Sequence, residues 1–168
     1  MISLYYTLSN RSSREFLAQV LSRFYSLPAA DLRTGRHGKP YLESGPCFSL
    51  SHSGSLCAVA VGDTPMGLDI ETVRDIRPYA RLLSSFTLRE REEIGNGETA
   101  FFANWTAKES YIKYLGETLA LARRLAYYGG KLYRDEQPLP VFLTGGKIED
   151  SVFTLCTKGE QKIEIIPV

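Results

Sequence analysis

Between Cys47 and Glu71 the chain runs through three apolar-rich segments, 47–51, 55–61 and 66–71, with turns built on Ser53-Gly54 and on Gly62-Asp63-Thr64-Pro65 between them. Turn residues at these points predict three successive strands. Phe48 and Leu50 alternate with Ser49 and Ser51, and Leu68 and Ile70 alternate with Asp69 and Glu71. Side chains two apart share one face of a strand. The first strand therefore turns hydroxyls to one side, and the third turns two carboxylates to one side.

The rest of the chain fits around these strands. Residues 2–7 read as a strand. In 12–26 the apolar positions Phe16, Leu17, Val20, Leu21 and Phe24 have helical spacing, and Leu27-Pro28 ends the helix. Residues 35–46 interleave Gly, Pro and charge and read as a loop, and 72–79 as a polar linker. Helices are predicted over 79–95, with Thr87 as N-cap and Glu90 completing a capping box, and over 98–115, with Asn96-Gly97 between them and Gly116 as terminator. Residues 123–168 read as short strands. The expected fold is α+β in two halves, 1–75 and 76–168, each a small antiparallel sheet packed by a helix, with a ligand cleft between them.

Charge and composition narrow the function. A net charge of +1 on 168 residues gives no general field for nucleic acid or membrane surfaces. No apolar run is long enough to span a bilayer, and the N-terminal residues lack the pattern of a signal peptide. The three cysteines, Cys47, Cys57 and Cys156, have neither zinc-site nor disulfide-framework spacing. A reducing cytoplasm is expected.

Four clusters carry chemistry. Asp69 and Glu71, side by side, repel one another unless a cation intervenes, and magnesium favours a few carboxylates together with water and phosphate oxygens. Glu109 and Lys113 lie one helical turn apart; Glu109 suits a third metal position and Lys113 a phosphate beside it, while Lys108 points elsewhere by about 100°. Trp105 reads as a core residue. Ser49, Ser51 and His52 form a hydroxyl-and-imidazole strand end without the G-x-S-x-G of a nucleophile elbow; such groups can hold phosphate oxygens. Gly38-Lys39-Pro40 resembles the tail of a phosphate loop without Walker spacing.

In order, Gly38-Lys39-Pro40, Phe48-Ser49-Leu50-Ser51-His52-Ser53, Gly67-Leu68-Asp69-Ile70-Glu71, Phe86-Thr87-Leu88-Arg89-Glu90 and Trp105-Thr106-Ala107-Lys108-Glu109-Ser110, with Lys113, resemble the signature series of the 4′-phosphopantetheinyl transferase superfamily, in its Sfp-type members. The resemblance runs from about Arg36 to Gly116 and implies a monomer of two pseudo-symmetric halves. It implies transfer of 4′-phosphopantetheine from coenzyme A to a serine of an acyl or peptidyl carrier protein of fatty-acid, polyketide or nonribosomal peptide synthesis, releasing adenosine 3′,5′-bisphosphate. It implies Asp69, Glu71 and Glu109 as magnesium ligands, and Glu109 and Lys113 as catalytic residues. Lys39, Pro40, Ser51, His52 and Lys113 are implied as coenzyme A contacts, and Glu90 as an acid near the same site. The region before the first helix is short for this family, with Arg11 and Arg14 as candidate phosphate-binding residues, and Thr118 stands where a second glycine often follows. The arginines 74, 77, 81, 89 and 91 are candidates for docking an acidic carrier. Two alternatives stay open on the residues themselves: a non-catalytic module binding coenzyme A or a carrier, and a magnesium-dependent nucleotide hydrolase.

Overall fold

A computed structural model describes residues 1–168 except Asn10, Ala80 and Asn96, and except the side chain of Ala29. The predicted break at Asn96 thus lies outside the described residues. Twelve strands occur among the described residues: β1 Ile2–Leu8, β2 Leu32–Thr34, β3 Pro40–Leu42, β4 Cys47–Ser53, β5 Leu56–Gly62, β6 Met66–Thr72, β7 Leu125–Tyr128, β8 Lys131–Arg134, β9 Gln137–Pro138, β10 Phe142–Ile148, β11 Ser151–Thr157 and β12 Ile163–Pro167. The α-helices are α1 Ser13–Tyr25, α2 Leu88–Ile94 and α3 Glu98–Leu115. No helix among the described residues is long and apolar enough to cross a membrane.

The fold is α+β, as expected. One sheet has the order β12-β1-β5-β4 and a second the order β10-β11-β6. Strand β5 is buried along Leu56–Val61, which explains why its sequence is one unbroken apolar run. Its Val59 and Val61 pack on Phe16, Leu17, Val20 and Leu21 of α1, and its Leu56, Ala58 and Ala60 share a cluster with Leu68 and Ile70 of β6 and Phe153 and Leu155 of β11. Helix α3 covers the second sheet, lying against β6 and β11.

A cut at residue 75 does not follow the hydrogen bonding. Strand β6 pairs antiparallel with β11, far downstream, and β12 returns to pair parallel with β1. Each side of the cut therefore lends a strand to the other side's sheet.

Local signals decided most element ends. Helix α1 begins at Ser12, whose hydroxyl accepts the Glu15 N–H while the Glu15 carboxylate takes the Ser12 N–H. Thr87 and Glu90 form the same reciprocal cap on α2, an arrangement worth about 1 kcal/mol. The helix expected over 79–95 is much shorter: short 3₁₀ turns occupy Arg77–Tyr79 and Leu82–Ser85, Phe86 is extended, and α2 starts only at Leu88. The Thr87 cap is a start signal, and apolar spacing before it reflects Leu82, Leu83 and Phe86 packing on Phe101 and Phe102. Helix α3 runs over the predicted residues and stops at Gly116, whose φ of 70° is left-handed. The segment 35–46, expected to be loop, contains β3 paired with β2.

Candidate active site

Strand β6 has β11 on one side only, so its other edge carries free N–H groups that need partners. Strand β4 runs alongside and supplies them from side chains. Ser49 accepts the Leu68 N–H at 2.9 Å, Ser51 the Ile70 N–H at 3.3 Å and Ser53 the Thr72 N–H at 3.0 Å. All three serines are buried. The alternation read from the sequence is real, but the hydroxyl face forms the seam between two sheets.

The acids stand between those N–H groups. Asp69, 3 % exposed, accepts from the Ser51 hydroxyl at 2.9 Å and from the Lys113 ammonium at 2.6 Å, both at Oδ1. Its Oδ2 is buried and has no hydrogen-bond partner. Burial raises the Asp69 carboxyl above its ordinary value, and Lys113 and Ser51 pull against that. Glu71 accepts at Oε2 from the Ser53 hydroxyl at 2.7 Å and from Arg74 at 3.1 Å. Arg74 in turn lies over the rings of Tyr79 and Phe102.

Helix α3 delivers Glu109 and Lys113 to the same place because it sits directly on β6. A Cβ at Gly67 would stand 2.0 Å from the Ser110 carbonyl oxygen and 2.3 Å from the Tyr114 nitrogen. Only a residue without a side chain allows this approach. Burial pushes the Glu109 carboxyl up to about 7, with the charges of Asp69 and Glu71 adding to the rise and Lys113 and the Trp105 indole opposing it. The three acids thus feel one another's charge.

Among the described residues, no three His, Cys, Asp or Glu side chains gather closely enough to form a ready-made metal cage. Lys113 and Arg74, cations of the chain itself, stand on Asp69 and Glu71. The donor chemistry nonetheless suits a hard divalent cation: three carboxylates, one with a buried oxygen lacking any partner.

A cavity of about 230 Å³ opens beside Lys113, lined by His37, Lys39, Pro40, Phe48, Gly116 and Glu117 among others. Lys39, Pro40 and Lys113 thus line one cavity. The Lys39 ammonium points inward, donating to the backbone carbonyls of Lys113 and, at 3.4 Å, of Met66. Ser51 and His52 are not among the residues lining this cavity. Ser51 lies in the seam, and His52, exposed, alternates to the opposite face of β4. His37 and Glu117, 3.9 Å apart at the cavity mouth, were not singled out from sequence; the only signal was the position of His37 beside Gly38-Lys39-Pro40.

Glu90 proves to be a structural residue. It is fully buried, caps α2, accepts the Tyr127 N–H at 2.8 Å and pairs with Lys108 at 2.7 Å. The approach is a close ion pair without an aligned hydrogen bond from Lys108, and the ammonium also lies 4.1 Å from the centre of the Phe86 ring. Lys108 does point away from Glu109, as its helical position required. Of the five arginines considered for docking, Arg74 is engaged at Glu71, Arg77 pairs with Asp75, Arg89 stacks on Tyr128 and Arg91 donates to the Phe86 carbonyl. Arg81 lines a groove with Phe86, Trp105, Leu119 and Arg123. Trp105 is therefore part of that groove as well as of the packing around Phe86.

Residues 65–127, which include β6, α2 and α3, match the family model of the 4′-phosphopantetheinyl transferase superfamily. The 4′-phosphopantetheinyl transferase psf-1 of Bacillus pumilus is 31% identical over 137 residues, covering 74% of this chain and 58% of the relative. The 4′-phosphopantetheinyl transferase Sfp of Bacillus subtilis is 32% identical over 130 residues, 70% of this chain and 55% of the relative. The 4′-phosphopantetheinyl transferase gsp of Aneurinibacillus migulanus is 32% identical over 113 residues, 62% of this chain and 45% of the relative. The chain spans about half the length of these relatives. The matched residues carry the acids, the helix and the glycine that bring them together, so over this segment the chain is similar to the 4′-phosphopantetheinyl transferase superfamily.

Proposed function

We propose that this chain transfers the 4′-phosphopantetheine group of coenzyme A to the serine of a carrier protein, releasing adenosine 3′,5′-bisphosphate. The observation that carries the reading is the Asp69–Lys113–Glu109 cluster: a buried carboxylate with one oxygen on an ammonium and the other unpartnered, beside a glutamate whose carboxyl is raised to about 7.

Asp69, Glu71 and Glu109 would hold magnesium. When bound, that ion would neutralise charge on the coenzyme A pyrophosphate and orient it. The chain's own groups do the rest. The cavity beside Lys113 takes the nucleotide, with Lys39 and Pro40 in its wall. Glu109 accepts the proton of the carrier serine hydroxyl as the serine oxygen bonds to the pantetheine-side phosphorus. The bond from that phosphorus to the bridging oxygen breaks, and Lys113 stabilises or protonates the leaving phosphate. Positioning and charge stabilisation supply most of the rate in such transfers.

The carrier would meet the groove over Trp105, rimmed by Arg81 and Arg123. Basic rims favour encounter with an acidic partner. The reading assigns the chain to the cytoplasm, where coenzyme A and carriers meet.

The test is incubation with coenzyme A and apo-carriers from fatty-acid, polyketide and peptide synthesis, with and without magnesium, followed by the mass of the carrier. A magnesium-dependent gain of one phosphopantetheine is expected. Coenzyme A hydrolysis without carrier modification would replace this reading with a nucleotide hydrolase, and binding without either would leave a non-catalytic module.

A further inference from the structure

Ser51 and Ser53 repeat one arrangement two residues apart. Ser51 donates its proton to Asp69 at 2.9 Å, accepts the Ile70 N–H at 3.3 Å and accepts the Lys113 ammonium at 2.8 Å. Ser53 donates to Glu71 at 2.7 Å, accepts the Thr72 N–H at 3.0 Å and accepts Arg74 at 3.2 Å. In each unit the cation bonded to the serine also bonds the acid, Lys113 to Asp69 at 2.6 Å and Arg74 to Glu71 at 3.1 Å. Ser49, the third rung, takes the Leu68 N–H, but opposite it stands Gly67, which has no acid to hold.

A hydroxyl has one proton and two lone pairs. Both serines have spent all three. Both are buried, Ser51 at 4 % exposure. The hydroxyls also hold the free edge of β6, so they set where that strand lies against β4. A one-residue slip of β6 would carry both acids to the other face.

We infer that Ser51 and Ser53 are positioning residues: their hydroxyls fix the register of the acidic strand and aim each carboxylate, with its cation, into the site. This reading rests on the proposed transfer only for its kinetic consequence; the hydroxyl ladder itself does not depend on it.

The experiment uses Ser51→Ala and Ser53→Ala, with Ser51→Thr as the variant that keeps the hydroxyl, each in the full chain and each checked by thermal melting. In the substrate-free protein, Ser51→Ala is expected to speed amide exchange at Ile70 by about tenfold or more, the equivalent of one lost hydrogen bond of about 1.4 kcal/mol. It is also expected to shift the Asp69 carboxyl carbon resonance; Ser53→Ala does the same at Thr72 and Glu71. Unchanged exchange and carboxyl resonances would overturn the ladder, whether or not the protein transfers anything. In the transfer assay, Ser51→Ala is expected to lower kcat about 30- to 100-fold, the scale of a misplacement near 1 Å, with KM for coenzyme A within about threefold, and Ser51→Thr is expected to recover most of kcat. A raised KM at unchanged kcat would make Ser51 a ligand contact and overturn the inference. A wild-type chain that modifies no carrier would sink the proposed transfer alone, with exchange and carbon shifts still deciding the ladder.

Discussion

Replacing Gly67 by alanine probes the contact on which the site is built. The added Cβ would meet the Ser110 carbonyl oxygen at 2.0 Å, the Tyr114 nitrogen at 2.3 Å and the Tyr114 Cα at 2.8 Å. Non-bonded atoms of this kind rest at about 3.5 Å, so the helix must withdraw by roughly 1 Å or more. All three obstructing atoms are backbone, and no rotamer change relieves them. Overpacking of this kind costs about 1–3 kcal/mol, occasionally more. Helix α3 carries Glu109 and Lys113, while Asp69 stays on β6, so the withdrawal separates the acid from its ammonium. A misplacement near 1 Å lowers turnover about 100-fold. Circular-dichroism melts and the carrier mass-shift assay measure the two effects. Gly159→Ala, where a Cβ meets nothing within 4 Å, is the matched control for stability. A Gly67→Ala protein that melts with the wild type and transfers within about threefold would refute the reasoning, because the helix and strand would then not be in contact.

Three further outcomes are expected. Asp69→Asn and Lys113→Ala each lower kcat by at least about 100-fold while leaving the far-ultraviolet spectrum unchanged, since each removes one member of a charge-assisted pair at 2.6 Å; steady-state kinetics within tenfold of wild type would remove both from the mechanism. Lys108→Met leaves the Glu90 carboxylate buried and unpaired, and is expected to destabilise by about 3–5 kcal/mol in urea unfolding; a loss below about 1 kcal/mol would show that the pair is not buried as described. In the metal-free protein, Glu109 binds its proton more tightly folded than unfolded, with the folded value about 7 against the ordinary 4.5. Its contribution is therefore complete below pH 4.5 and lost as pH rises through about 7, by roughly 3 kcal/mol. Glu109→Gln should flatten that decline, and a wild-type stability that is level across the window would contradict the raised carboxyl.

How much was legible in the residues differs from element to element. Patterns that act within a few residues could be read directly. The 18 residues of α3 up to Gly116, the Thr87–Glu90 cap and the alternation along β4 and β6 are set by local backbone and side-chain chemistry, and the structure has them where the sequence puts them. The ordered motifs likewise singled out Asp69 and Lys113, which the structure brings to 2.6 Å. Apolar spacing misled over 79–87, because residues packing on Phe101 and Phe102 have the same pattern whether held by a helix or by 3₁₀ turns.

Long-range pairing was beyond the sequence. Alternation cannot say which strand lies beside β6, and the answer, β11 on one edge and a serine ladder on the other, decides what Ser51 does. Helical spacing cannot say that Lys108 turns to Glu90 while Lys113 reaches Asp69 across 44 residues of chain. A polar residue is satisfied by whatever partner the folded chain brings to it, and that choice is made by the packing of distant segments.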